Sequence, residues 1–104
     1  MIGVGGPTKD YESPRYVPIH QGFRDAMAAP AKMREFRGNV TNVLTEEFWD
    51  HELAKVRSIR AEERTPEQQE IARGVSNQEF HYLGAAKILG PIGKAFAEAA
   101  HSMR

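Results

Sequence analysis

The sequence predicts an all-α fold, a small bundle of four to five short helices (23–104) preceded by an extended N-terminal arm (1–22) rich in glycine and proline. Three observations carry this. Apolar residues after Phe23 recur at helical spacing, capping boxes of the S/T-x-x-E/Q type stand at 65–68 and 76–79, and eight of the fifteen glycines and prolines fall within the first thirty residues. No β-alternation of useful length and no internal repeat is present.

The arm holds Gly3, Gly5, Gly6 and Gly22 together with Pro7, Pro14 and Pro18. Each proline fixes φ and pushes its predecessor into extended backbone, so no regular element is expected before about Gln21. At about 3.3 Å per residue, such a segment reaches on the order of 65 Å. Tyr11, Tyr16, Val17, Ile19 and Phe23 stud it with apolar groups that flexible spacers lack. The arm therefore reads as a strap held by a partner or by the outer surface of the body.

The body begins with a turn broken by Pro30 and a helix expected over 31–37, with Gly38 as its C′ stop. A longer helix is expected over 45–64. Thr45 serves as its cap, Glu46 and Glu47 lie in its first turn, and Lys55, Arg57, Arg60 and Arg64 in its last turns complement the macrodipole. Phe48, Trp49, Leu53, Val56 and Ile59 share an arc of about 140° on that wheel, a core-facing stripe that also contains Glu52 and Arg60. Thr65-Pro66-Glu67-Gln68 then starts a short helix closed by Gly74, and Ser76-Asn77-Gln78-Glu79 opens another expected to run to Leu89. Gly90-Pro91 is expected to end it, folding 77–89 and a last helix over 91–103 into a hairpin. Ile92, Phe96, Ala99 and Met103 share one face of that last helix.

Composition narrows the function. At 104 residues the chain makes one domain, with about 6,000 Å² of folded surface and a small core. Fourteen basic and fourteen acidic residues cancel, so no global field draws it to nucleic acid or to an anionic membrane. The absence of cysteine excludes disulfides, thiolate metal sites and cysteine nucleophiles. Met1-Ile2-Gly3-Val4-Gly5-Gly6-Pro7 lacks the basic start and apolar run of a signal peptide and reads as a mature N-terminus; Asn39-Val40-Thr41 is then a chance glycosylation tripeptide.

Motifs for chemistry fail one by one. Glu47 and His51 stand four apart, but the wheel turns both away from Trp49 into solvent, and two ligands without orienting neighbours bind a metal weakly. Glu79-Phe80-His81 lacks di-iron spacing. His20, His51, His81 and His101 are scattered, and Glu52 is the carboxylate whose position in the apolar stripe suggests an ion pair. The segment 70–76 followed by a capped helix has the outline of a helix-turn-helix, but Gln69, Glu70 and Arg73 occupy positions that should be apolar or small. Neither Gly3-Val4-Gly5-Gly6-Pro7 nor Gly90-Pro91-Ile92-Gly93-Lys94 has phosphate-loop spacing.

What remains is apolar surface. As a helix, 80–89 is apolar in nearly every direction with Lys87 its one charge, more than a body of this size can wrap. No uninterrupted run reaches membrane-spanning length. The expectation is a non-enzymatic structural or accessory subunit of a large multiprotein assembly, built as virion components and organellar accessory subunits are, with no cofactor and no metal. It docks through the apolar C-terminal hairpin and the arm, with Tyr11, Tyr16, Ile19, Tyr82, Ile88 and Leu89 as contact residues, onto protein partners in a larger assembly, whether other proteins or copies of itself. Nucleic-acid binding and membrane insertion are not expected. The alternative is a small nucleic-acid-binding adaptor that uses Arg57, Arg60 and Arg64 as a basic strip.

Overall fold

The computed structural model describes residues 2–3 and 14–103. From the N-terminus run β1 (Ile2–Gly3), α1 (Val17–Ala28), β2 (Asn42–Val43), α2 (His51–Ser58), α3 (Pro66–Ala72) and α4 (Ala86–Ser102), joined by short turns of 3-10 helix. The all-α character stands. The two strands form a parallel ladder of two residue pairs, Ile2 with Asn42 and Gly3 with Val43.

α4 organises the body. Leu53, Leu83, Ala85, Ile88 and Ile92 form its buried core, with Phe48, Trp49, Ile71, Val75, Tyr82 and Phe96 packed around them. The expected hairpin is absent, because α4 runs straight through Gly90 and Pro91. Proline inside a helix costs about 3 kcal/mol. Ile88 and Ile92 lie four apart on either side of Pro91, both in the core, and burying each is worth about 1.5–3 kcal/mol, so continuity wins. The expected face of Ile92, Phe96, Ala99 and Met103 does point inward, with Ile92 buried and the other three half-buried.

The second capping box does not form. The Ser76 hydroxyl donates instead to the Gly84 carbonyl (2.9 Å), and the Ser76 and Asn77 N–H groups both donate to the Leu83 carbonyl (2.9 and 3.0 Å). The chain between them is a 3-10 turn, Glu79–Gly84, that ends in three successive left-handed residues, Tyr82, Leu83 and Gly84, with φ of 52°, 58° and 55°. For Tyr82 and Leu83 this costs about 1–2 kcal/mol each. Complete burial of Leu83 and a 2.8 Å hydrogen bond between the Tyr82 and Thr45 hydroxyls offset it. Gly84 is required twice over: its φ is left-handed, and a Cβ there would lie 2.3 Å from the Ser76 Oγ.

The long helix expected over 45–64 is three pieces. A 3-10 turn at Thr45–Phe48 ends at extended Trp49, α2 follows, and Ile59 is extended again before a 3-10 turn at Ala61–Glu63. The buried Thr45 hydroxyl serves Tyr82, so the cap of α2 is Asp50, whose Oδ1 accepts from the Leu53 N–H at 2.9 Å. The apolar stripe survives the breaks, with Leu53 and Val56 buried and Phe48, Trp49 and Ile59 half-buried, while Glu52 is exposed. The box at the start of α3 forms in full: the Thr65 Oγ1 accepts from the Gln68 N–H, and the Gln68 side chain accepts from the Thr65 N–H. The helix expected over 31–37 is replaced by two 3-10 turns, Ala29–Lys32 and Arg34–Phe36, with Met33 extended between them. So short a helix is marginal unless a face is buried, and Met33 and Phe36 are both exposed. Gly38, at φ 87°, does mark the stop.

Asp50 also joins α2 to α4 through a 2.8 Å ion pair with Lys87. Burial alone would push the Asp50 carboxyl up, but the Lys87 ammonium and the Leu53 N–H together outweigh it and hold it below its ordinary 3.8. The bond to Asp50 and its charge raise Lys87 above its ordinary 10.5. A depressed acid contributes stability above its unfolded pKa and loses it as pH falls through the folded one; a raised base contributes below its unfolded pKa and loses it as pH rises. Urea unfolding of the wild type and of Lys87→Met should therefore differ by a constant amount near neutrality. The gap should close below pH 3.8 and again above pH 10.5. A gap that persists at pH 2 would show that the pair is not its source.

Candidate docking surface

The 17–22 segment of the expected arm is helical. Pro18 stands in the first turn of α1, where no intrahelical N–H donor is required and a φ fixed near −65° already suits the helix. Residues 4–13, with Tyr11, lie outside the described residues. Gln21 and Asp25 support the exposed face with an i,i+4 hydrogen bond of 2.8 Å.

The sidedness of α1 is inverted relative to an ordinary amphipathic helix. Arg24 is the buried residue, 5% exposed, and its Nε meets a Glu46 carboxylate oxygen at 2.9 Å. His20 and Ala28, four residues to either side, are half-buried with it. Outward stand Ile19 (48% exposed), Phe23 (63%) and Met27 (39%), spaced i, i+4, i+8 and thus aligned as one ridge within about 80° of the wheel. Gly22 and Ala26, both exposed, form the adjacent row. Val17, Met33 and Phe36 are exposed as well, so that six of the eight large apolar side chains left in solvent among the described residues fall within 17–36. This concentration makes 17–36 the candidate surface among the described residues.

The other expected contact residues are differently placed. Tyr16 is half-buried, stacked on His20 with ring centroids 6.1 Å apart, and the Arg15 guanidinium lies 5.3 Å from the centre of its ring. Tyr82 is half-buried against Thr45. Ile88 was expected to face a partner and is instead fully buried in the chain's own core, because the helix continues through Pro91 and turns it onto Leu53 and Leu83. Leu89, next to it, is 45% exposed on α4. Ile19 and Leu89 thus keep an exposed position, on separate helices.

Arg57, Arg60 and Arg64 do come together, around a concavity of about 400 Å³ that Ile59, Ala72 and Val75 also line. Two of the three have work within the chain. Arg64 donates from Nε to the Ile59 carbonyl (2.9 Å) and from Nη2 to the Arg57 carbonyl (3.2 Å), satisfying acceptors left open at the end of α2. Arg60 pairs with Glu62 and Glu63. Among the described residues no three potential ligands converge on a metal site, Glu47 and His51 are exposed, and His81 is exposed with its Nδ1 3.0 Å from Asn77. No described helix is long and apolar enough to cross a membrane.

Sequence reasoning missed Arg24 altogether and counted Phe23 among the arm's apolar studs without its helical partner Met27. The signal was present in the i, i+4, i+8 spacing of Ile19, Phe23 and Met27, masked by the two prolines that bracket the helix. If Arg24 tethers α1, then Arg24→Met, which leaves Glu46 without its ion pair, should destabilise this contact by about 1–3 kcal/mol. Hydrogen exchange should register the loss in the amides of α1 while those of α4 keep their protection. Equal loss in both helices would mean that Arg24 supports the whole core.

Compared with models of known protein families, with curated proteins and with solved structures, the chain matches none.

Proposed function

We propose that this chain is a non-enzymatic docking subunit of a larger protein assembly and that α1, with the turns that follow it to Phe36, is its docking element. The observation that carries the reading is the inversion of α1: an arginine inside, and Ile19, Phe23 and Met27 outside. A helix with no partner would be better hydrated the other way round. Burying the exposed parts of these three side chains is worth about 1–2 kcal/mol each before association costs are subtracted. A helix offering anchors at i, i+4 and i+8 is the form that apolar grooves of protein partners accept. Virion components and organellar accessory subunits remain the assemblies for which such a subunit is suited.

Salt separates this reading from a basic strip gripping phosphate, since apolar docking is nearly indifferent to ionic strength and phosphate binding falls steeply with it. The chain isolated from its source should stay in a complex at both 0.1 and about 0.5 M salt and after nuclease treatment. Phe23→Asp should lower the recovered partner at least about tenfold while leaving helicity by circular dichroism unchanged. Retention of partner by Phe23→Asp, or release by salt alone, would overturn the reading.

A further inference from the structure

We infer that the concavity at the end of α2 binds a single carboxylate carried on a short apolar body, with Arg57 as the group that grips it. The concavity, of about 400 Å³, lies where the end of α2 and the linker after it meet the end of α3. Small-molecule sites span about 300–1,000 Å³, so the room suffices. Arg57, Arg60 and Arg64 line it, Ile59, Ala72 and Val75 give it an apolar wall, and no acidic residue is among those that line it. Guanidinium donors beside aliphatic surface are the chemistry that an aliphatic acid needs. The site shares no residue with α1, so it and the docking reading stand or fall separately.

The three arginines are not equivalent, and their differences select the ligand. Arg64 directs Nε and Nη2 to the Ile59 and Arg57 carbonyls, which neutralises the open end of α2 and occupies the Nε side of its fork. Arg60 is paired with Glu62 and Glu63. Arg57 is half-buried, and among the described residues its side chain makes no ion pair or hydrogen bond; the fold uses only its carbonyl. A planar fork with its donors open is what a carboxylate meets with two parallel hydrogen bonds. The three guanidinium charges set against Glu62 and Glu63 leave one positive charge, which matches a monoanion. A nucleic-acid strand would instead bring successive phosphates up against those two carboxylates. The wall of Ile59, Ala72 and Val75 covers the body of an acid, a gain that inorganic phosphate does not have.

Hexanoate is the probe, titrated into the full chain while amide shifts are followed by NMR. With about eight non-hydrogen atoms it should bind with a Kd on the order of 1 mM, moving the amides of Ile59, Ala72 and Val75 in one saturable step. Hexanamide keeps the shape without the charge, and inorganic phosphate keeps charge without the body; each should bind at least about tenfold more weakly. Arg57→Gln should weaken hexanoate at least about tenfold, and Arg57→Lys, which keeps the charge without the fork, at least about threefold. Because the Arg57 side chain holds nothing in the fold, both variants should unfold at the wild-type temperature. Lys55→Gln removes a charge from the same helix outside the concavity and should bind as the wild type does. Free acids and the C-terminus of a partner chain both carry this carboxylate, and a short peptide ending in leucine separates them. If the peptide binds more tightly than hexanoate, and loses this when amidated, the site takes chain ends; if it binds more weakly, the site takes free acids. No saturable shift at about 10 mM hexanoate, equal affinity for hexanamide, or undiminished binding by Arg57→Gln would overturn the site. So would Arg57-dependent binding of a single-stranded oligonucleotide tighter than that of hexanoate, which would return the arginines to phosphate.

Discussion

Ile88 and Ile92 enter the core one turn apart with Pro91 between them, and their joint burial holds α4 as a single helix across a residue that ordinarily ends one. Several of the other elements are arranged on the surface this helix provides. β2, the turn at Thr45–Phe48 and the turn at Glu79–Gly84 all lie against α4, and Lys87 on its first turn reaches back to the cap of α2. Were α4 to stop at Leu89, Ile92 and Phe96 would follow another axis, and the pocket that Leu53 and Leu83 share with Ile88 would lose its floor.

The left-handed turn before α4 serves the same end. It turns the chain in very few residues, and Leu83 within it and Ile88 just after it both end in the same buried cluster. The conformational cost at Tyr82 and Leu83 is met by contacts that exist only because of it: a buried leucine, a hydroxyl pair with Thr45, and a loop whose two ends are hydrogen-bonded through Ser76 and Leu83. α1, by contrast, lies beside β1 and the turn at Ala29–Lys32, and the ion pair of Arg24 with Glu46 ties its inner face to the turn at Thr45–Phe48, an arrangement that leaves Ile19, Phe23 and Met27 exposed.

How much of this was legible in the sequence depended on whether local chemistry or distant packing decides each residue. The Thr65 capping box, the stop at Gly38 and the inward face of Ile92, Phe96 and Ala99 are decided within a few residues, and all three were readable. Ser76 heads an equally good box by spelling, but its hydroxyl is taken by the Gly84 carbonyl eight residues on, a partner that spacing does not reveal. Thr45 failed as a cap for the same reason, through Tyr82. Prolines misled in both directions: Pro18 was read as extended although the first turn of a helix accepts it, and Pro91 was read as a stop although burial on both sides carries the helix through. The placing of exposed apolar residues follows the same split: Leu83, Ala85 and Ile88 read as surplus but are core, and Ile19 and Phe23 read as part of a strap but stand on a helix.

The closure between Ser76 and Gly84 has a consequence for how this chain tolerates change over generations. A side chain at 84 would collide with the Ser76 Oγ and crowd Asn77, and the left-handed backbone there disfavours any replacement even if 76 shrinks. Drift at 76 is therefore conditional on glycine persisting at 84, whereas 84 has no substitution that a single change elsewhere makes neutral. Among descendants of this sequence the pair would act as a ratchet, with position 84 the slowest to move and surface positions such as Lys55 or Glu67 free to wander around it.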